Sequence, residues 1–318
     1  MIGFCLLLII TFIKPKILLK ISPYLYLISL GLLILVLFIG NNTNGSMAWF
    51  KIGFIKFQPS ELMKLSLILY LSSLSIKSEL IYIIKIIIIT LVPSILVFLE
   101  PDTGAVIIYL LIMISFIFNR KIKRRYQISF IVISLLIIGG FILIYYKYPT
   151  IITKYTGNAL IYRINRLINI KSGYQIDNAL TAIGSTQLIS FKPNNKLIYI
   201  PEAHTDFIFA YTISLFGFIS GLLLIICYFI ISMFLVYKKG LIKNSLLIIF
   251  TFQVIYNLGF NIGLFPIMGI PLPFLSYGGS NIIIYFLLFG LLFNMDDNSN
   301  YNHKHNQGYN KALALGHY

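Results

Sequence analysis

Long apolar runs separated by short polar segments set the pattern of this chain. The runs are Met1–Phe12, Pro23–Gly40, Leu62–Ile76, Leu80–Leu99, Gly104–Phe118, Ile128–Tyr145, Phe207–Val236, Ser245–Leu264 and Asn281–Phe293. They are helix-length, without the short alternation that marks the strands of an outer-membrane barrel. They predict an all-α fold, a polytopic transmembrane bundle of about nine spans, several of them short for a ~30 Å hydrocarbon core. Composition agrees: 318 residues that are 58% hydrophobic and 11% charged cannot cover a soluble globule with polar surface.

Orientation follows from the short loops, because positive loops stay in the cytoplasm. Lys14, Lys16 and Lys20 form one basic loop, Arg120, Lys121, Lys123, Arg124 and Arg125 a second, and Lys238, Lys239 and Lys243 a third. With Lys77 beside Glu79, these are alternate loops, so the net charge of +16 reads mainly as topology and nothing points to a nucleic-acid partner. The outward segments are then Asn41–Ser60, Glu100–Thr103, the long Tyr146–Asp206 stretch and Phe265–Ser280. The long stretch is itself basic, through Lys147, Lys154, Arg163, Arg166, Lys171, Lys192 and Lys196, and orientation rules do not count a loop of that length. Either its charge meets an anionic partner such as a phosphate-bearing lipid, or it is a solvated surface.

Met1–Phe12 has no positive n-region and no small-residue cleavage site, so it is expected to be a span. Residues 1–294 form the expected membrane domain, and the Asn-rich, His-dotted residues 295–318 an expected disordered cytoplasmic tail. Cys5 and Cys227 lie in different apolar runs and suggest neither a disulfide nor a metal site. No phosphate-binding loop, dinucleotide fingerprint or zinc spacing is present.

The specific chemistry is in the outward segments. Pro201-Glu202-Ala203-His204-Thr205-Asp206 precedes an apolar run, and its histidine is the only one outside the tail in a chain with nine acidic residues. Phe57-Gln58-Pro59-Ser60-Glu61-Leu62 opens a helix, with Pro59 suited to its first turn and Glu61 near the positive helix end. The single tryptophan, Trp49, lies just before it, where an interfacial anchor is one reading. Asp102, in Glu100-Pro101-Asp102-Thr103-Gly104, suits a helix N-cap. The prolines and paired glycines of Gly269 to Ser280 (GIPLPFLSYGGS) suit a re-entrant, non-helical backbone.

Together these four segments resemble the SEDS family (shape, elongation, division and sporulation), which includes RodA and FtsW proteins, over about residues 20–294. The family usually has ten spans, so this chain resembles one that begins at the second. Ala182-Ile183-Gly184-Ser185 and Gly269-Ile270-Pro271-Leu272-Pro273 look more like RodA, and Pro201-Glu202-Ala203-His204 more like FtsW, with a lean to RodA. The resemblance implies a peptidoglycan glycosyltransferase of the plasma membrane that polymerises lipid II on the extracytoplasmic side. It implies partnership with a class B penicillin-binding protein and with other elongation or division proteins.

By that resemblance the catalytic position falls on Asp206 and the sensitive tryptophan on Trp49. A polyprenyl pyrophosphate leaves as an anion and needs no acid, so one general base suffices where a glycosidase uses two carboxylates. Arg163, Arg166 and Lys192 are candidates to offset the pyrophosphate charge; His204 is placed to orient Asp206 or, equally, to make a helix-entry hydrogen bond. Glu202, Gln58, Glu61, Asp102, Ser276 and Tyr277 complete the expected substrate contacts. A divalent cation could share the charge, although no ligand set identifies one. The chain departs from the family where two arginines usually precede the tryptophan (here Met47 and Ala48) and where an acidic pair usually follows Phe-Ile-Phe-Ala (here Ser214 and Leu215). The loop between Ser185 and Pro201 is also shorter. These changes remove charge near the expected site and bear on turnover more than on lipid II binding. Two further roles stand beside the polymerase, a lipid II transporter (flippase) and a non-catalytic scaffold for a transpeptidase.

Overall fold

The computed structural model describes residues 2–43, 46–52, 55–76, 78–119, 122–147, 173–190, 198–238 and 240–295. Six helices come first: α1 (Ile2–Phe12), α2 (Pro15–Ile39), α3 (Pro59–Ser73), α4 (Glu79–Leu99), α5 (Thr103–Asn119) and α6 (Arg124–Lys147). Five follow: α7 (Tyr174–Gly184), α8 (Ile208–Phe216), α9 (Phe218–Tyr237), α10 (Leu241–Asn261) and α11 (Gly279–Met295). Of these, α2, α4, α9 and α10 are long and apolar enough to cross a membrane. Their outer faces expose large apolar side chains such as Phe38, Ile95 and Phe229, as a lipid-facing surface requires. The chain is a multi-pass membrane protein.

The bundle is built around α3, which buries residues on every side from Pro59 to Leu71 and packs against α2 and α5. Two serines, Ser115 on α5 and Ser245 on α10, share a buried hydrogen bond of 2.6 Å, the form in which polar groups join apolar helices. At the end of the bundle where α1 meets α2, Asn294 is buried and donates to the carbonyls of Ile10, Thr11 and Ile13. It therefore belongs to the bundle and closes the C-terminal end of α1.

Three features depart from the expected elements. The single span Phe207–Val236 is two helices, because Gly217 breaks it with φ +91°. There Ser190 N–H donates to Phe216 O, while the N–H groups of Phe218 and Ile219 donate to the carbonyls of Gln187 and Leu188. The inserted segment supplies the partners that the helix loses, and hydropathy alone does not register such a break. Helix α7 was hidden in the long polar stretch; its Ile176, Ala179 and Ala182 pack into the cluster around Phe207 and Phe260. Finally, three strands form a small antiparallel sheet, β1 (Asn41–Thr43), β2 (Ser46–Ile52) and β3 (Ile55–Phe57), in that order.

Candidate active site

Asp206 is half-buried and lies just before Phe207, the N-cap residue of α8. Phe207 is fully buried and meets Phe260 of α10 edge-on, with ring centroids 5.3 Å apart. The aspartate therefore stands beside a fixed hydrophobic anchor, at the positive end of a helix.

Three successive carbonyls hold the backbone here. That of His204 accepts the Tyr277 N–H at 2.8 Å. That of Thr205 accepts the Ser276 hydroxyl at 2.7 Å, and the same hydroxyl accepts the Leu272 N–H at 2.7 Å. That of Asp206 accepts both Asn257 Nδ2 and Asn261 Nδ2, each at 3.1 Å. The loop 269–280 thus grips one side of the turn and α10 the other. Gly269 faces the Asp206 carboxylate: a Cβ built on it would lie 3.8 Å from Oδ2, and its φ of +65° suits glycine.

Upstream, the turn is shaped by Glu202, which holds φ +54°. Its carbonyl accepts the N–H groups of Thr205 and Phe207, and its carboxylate accepts the Thr205 hydroxyl at 2.8 Å. The exposed ring of His204 packs edge-on against Tyr211, with centroids 5.0 Å apart. Tyr277 is well exposed beside it.

The same loop reaches the other outward segments. Ser280 Oγ receives the Gln58 N–H at 3.1 Å and donates to the Lys56 carbonyl at 3.1 Å, tying β3 and the start of α3 to the loop. A Cβ on Gly104 would meet Ile270 Cγ1 at 2.8 Å and Met268 O at 3.0 Å, so only glycine lets the start of α5 pack there. The four motif-bearing segments are therefore joined at one end of the bundle, through residues 56–58, 102–104, 204–206 and 268–280. Trp49 is half-buried on β2, opposite Asn41.

Several residues expected to contact substrate have partners inside the protein. Asp102 caps α5 through the Ala105 N–H (2.9 Å) and accepts Gln58 Nε2 at 2.9 Å and Ser60 Oγ at 3.4 Å. Burial pushes the Asp102 carboxyl above its ordinary range, partly offset by the Ala105 bond. Glu61 is buried and pairs with buried Lys64 at 2.8 Å, one turn along α3. Ser276 is buried, with its hydroxyl used as described. Glu100 is buried too, and burial followed by the neighbouring Asp102 raises its pKa to about 8. Arg163, Arg166 and Lys192 lie outside the described residues. Among the described residues, no group of three or more His, Cys, Asp and Glu side chains could hold a metal ion.

Sequence reasoning missed Asn257 and Asn261, both fully buried on α10. The available signal was their spacing: amides four residues apart on one face of an apolar helix need partners, because an unpaired polar group in a membrane interior is costly.

The FtsW, RodA and SpoVE family model, described as a cell cycle protein, matches residues 1–301. A probable peptidoglycan glycosyltransferase FtsW from Wigglesworthia glossinidia brevipalpis is 35% identical, covering 87% of this chain and 76% of that protein. Its namesake from Coxiella burnetii is 32% identical over 85% of this chain and 77% of that protein. Among solved structures, a chain of a peptidoglycan synthase complex that coordinates polymerization and crosslinking aligns with TM-score 0.73 at 25% identity, covering 93% of this chain and 86% of that one. The rod shape determining protein RodA of Thermus thermophilus aligns with TM-score 0.63 at 27% identity, covering 93% and 84%. The fold, the joined motif segments and these matches agree: the chain belongs to the FtsW/RodA/SpoVE family.

Proposed function

We propose that this protein is a peptidoglycan glycosyltransferase that polymerises lipid II at the outer face of the plasma membrane, with Asp206 as its general base. The observation that carries this reading is the clasped Asp206 turn at one end of a membrane bundle, in a chain 35% identical to a protein named as such a transferase. Asp206 takes the proton of the acceptor sugar hydroxyl as that oxygen attacks the anomeric carbon of the donor. The C–O bond to the polyprenyl pyrophosphate breaks, and the pyrophosphate leaves as an anion without needing an acid. Fixed donors that stabilise this charge act most strongly where water is excluded. Arg163, Arg166 and Lys192 are proposed for that task, and exposed Tyr277 and half-buried Trp49 for holding the sugar or lipid.

The product strand calls for crosslinking, so a class B penicillin-binding protein is the proposed partner; the structural relative in a synthase complex supports it. The motifs lean to RodA, whereas the matching curated relatives carry the FtsW name, so the proposed role covers elongation and division alike. Protein reconstituted with lipid II should form glycan strands, and Asp206→Ala should abolish them. Strand formation by Asp206→Ala at the parent rate would end the reading. Lipid II crossing sealed vesicles without polymerisation would favour a transporter, and transpeptidase binding with neither activity a scaffold. Labelling of a cysteine at position 206 only from the cytoplasmic side would also overturn it.

A further inference from the structure

The Asp206 carbonyl is held by two side-chain amides from one helix, and each amide has a second partner that bears on the site. Asn261 Oδ1 accepts the Ala210 N–H at 3.1 Å, in the first turn of α8, which has no cap from its own N-cap side chain. One side chain therefore fixes both the peptide plane after Asp206 and the start of the helix that follows it. Asn257 Nδ2 also donates to the Ile270 carbonyl at 2.8 Å, fixing the residue next to Gly269, which faces the carboxylate. The amides brace each other as well: Asn261 Nδ2 reaches Asn257 Oδ1 at 3.2 Å and the Asn257 carbonyl at 2.9 Å.

From this we infer that Asn257 and Asn261 are positioning residues for Asp206, setting the direction of its Cα–Cβ bond and the distance to the loop opposite. The inference rests on the proposed glycosyltransferase role. The physical reason is leverage. Rotation of the peptide plane between Asp206 and Phe207 swings the aspartate side chain, and two donors on one carbonyl remove that rotation. Both amides are neutral and fully buried, so no water replaces a lost donor. Their neighbour on the same face, Gln253, is equally buried, and among the described residues its amide has no hydrogen-bond partner. Burial of an amide on α10 does not by itself produce a contact with the site; among the described residues Asn257 and Asn261 make one and Gln253 does not.

The test compares Asn261→Ala and Asn257→Ala with Asn294→Ala, in the reconstituted lipid II assay and by thermal unfolding. Asn294 is a similarly buried, multiply bonded asparagine that serves α1 instead. A misplacement of the reacting group on the order of 1 Å costs up to about a hundredfold in rate. Asn261→Ala should lower kcat by about tenfold or more with KM within about twofold, the pattern of lost alignment and not lost binding. Asn294→Ala should lower the melting temperature with kcat unchanged. Should Asn261→Ala fail to fold, Asn257→Ala carries the test, since it leaves the Asn261 bonds to the Asp206 carbonyl and to the Ala210 N–H in place. Unchanged kcat in the folded variants, or a loss that tracks melting temperature equally in all three, overturns the inference. If Asp206→Ala remains active in the same assay, the glycosyltransferase reading fails instead, so the two failures are distinguishable.

Discussion

The hydroxyl of Ser276 lies 2.7 Å from the Thr205 carbonyl oxygen and 2.7 Å from the Leu272 nitrogen, donating to the first and accepting from the second. A single buried atom thus joins the Pro201–Asp206 turn to the loop opposite it. Ser276→Ala leaves an N–H and a carbonyl unpaired, at about 1–3 kcal/mol each. Thermal unfolding in detergent should show a marked loss of stability. Tyr277→Phe should leave the melting temperature unchanged, because its part in the clasp is a backbone N–H.

Gly217 and Gly240 both adopt positive φ, yet their substitution should not cost the same. A Cβ at Gly217 would lie 2.7 Å from Leu188 O and Ser190 N, whereas a Cβ at Gly240 would meet none of the described residues beyond its chain neighbours within 4 Å. Gly240→Ala should cost only the backbone penalty, about 1–3 kcal/mol. Gly217→Ala must also push the 187–190 segment away, and should lower the melting temperature by clearly more.

Lys64 and Glu61 are both buried and share a 2.8 Å ion pair, and the ammonium lies 5.2 Å from the centre of the Tyr285 ring. Removing one partner strands the other charge, so Lys64→Ala should cost about 3–5 kcal/mol. Replacing both, as in Lys64→Met with Glu61→Leu, should recover much of that loss. A double-mutant cycle on melting temperature measures the difference.

Glu100 gives stability a pH dependence of known sign. Its pKa is raised from 4.5 to about 8, so the folded state holds a proton that the unfolded chain has released. The native state is therefore favoured fully below the unfolded value. That advantage is lost as pH rises through the window up to about 8, by up to about 1.4 kcal/mol per unit. Glu100→Gln should be more thermostable than the parent above pH 5, with the gain growing to pH 8 and then levelling.

The class of the protein and most of its helices were legible because hydropathy over a helix length is a local property. Eight of the nine apolar runs correspond to single helices, and the ninth failed at Gly217, where the partners that permit the break lie some 30 residues upstream. Asp102 as a cap was likewise readable, since an N-cap is specified by its own neighbours. The packing of His204 was not legible, because sequence proximity to Asp206 does not say which way a ring turns; it turns to Tyr211.

By itself the amino-acid order settled the membrane bundle, its family and the segment that carries Asp206. Tertiary structure alone decided how that aspartate is held. Asn257, Asn261 and Ser276 stand 51, 55 and 71 residues from the carbonyls they bind. A buried polar residue announces that it needs a partner, but which partner depends on where folding brings distant backbone. For the same reason the partners of Gln58, Glu61 and Ser276, polar residues in recognisable motifs, could be read only from the tertiary structure.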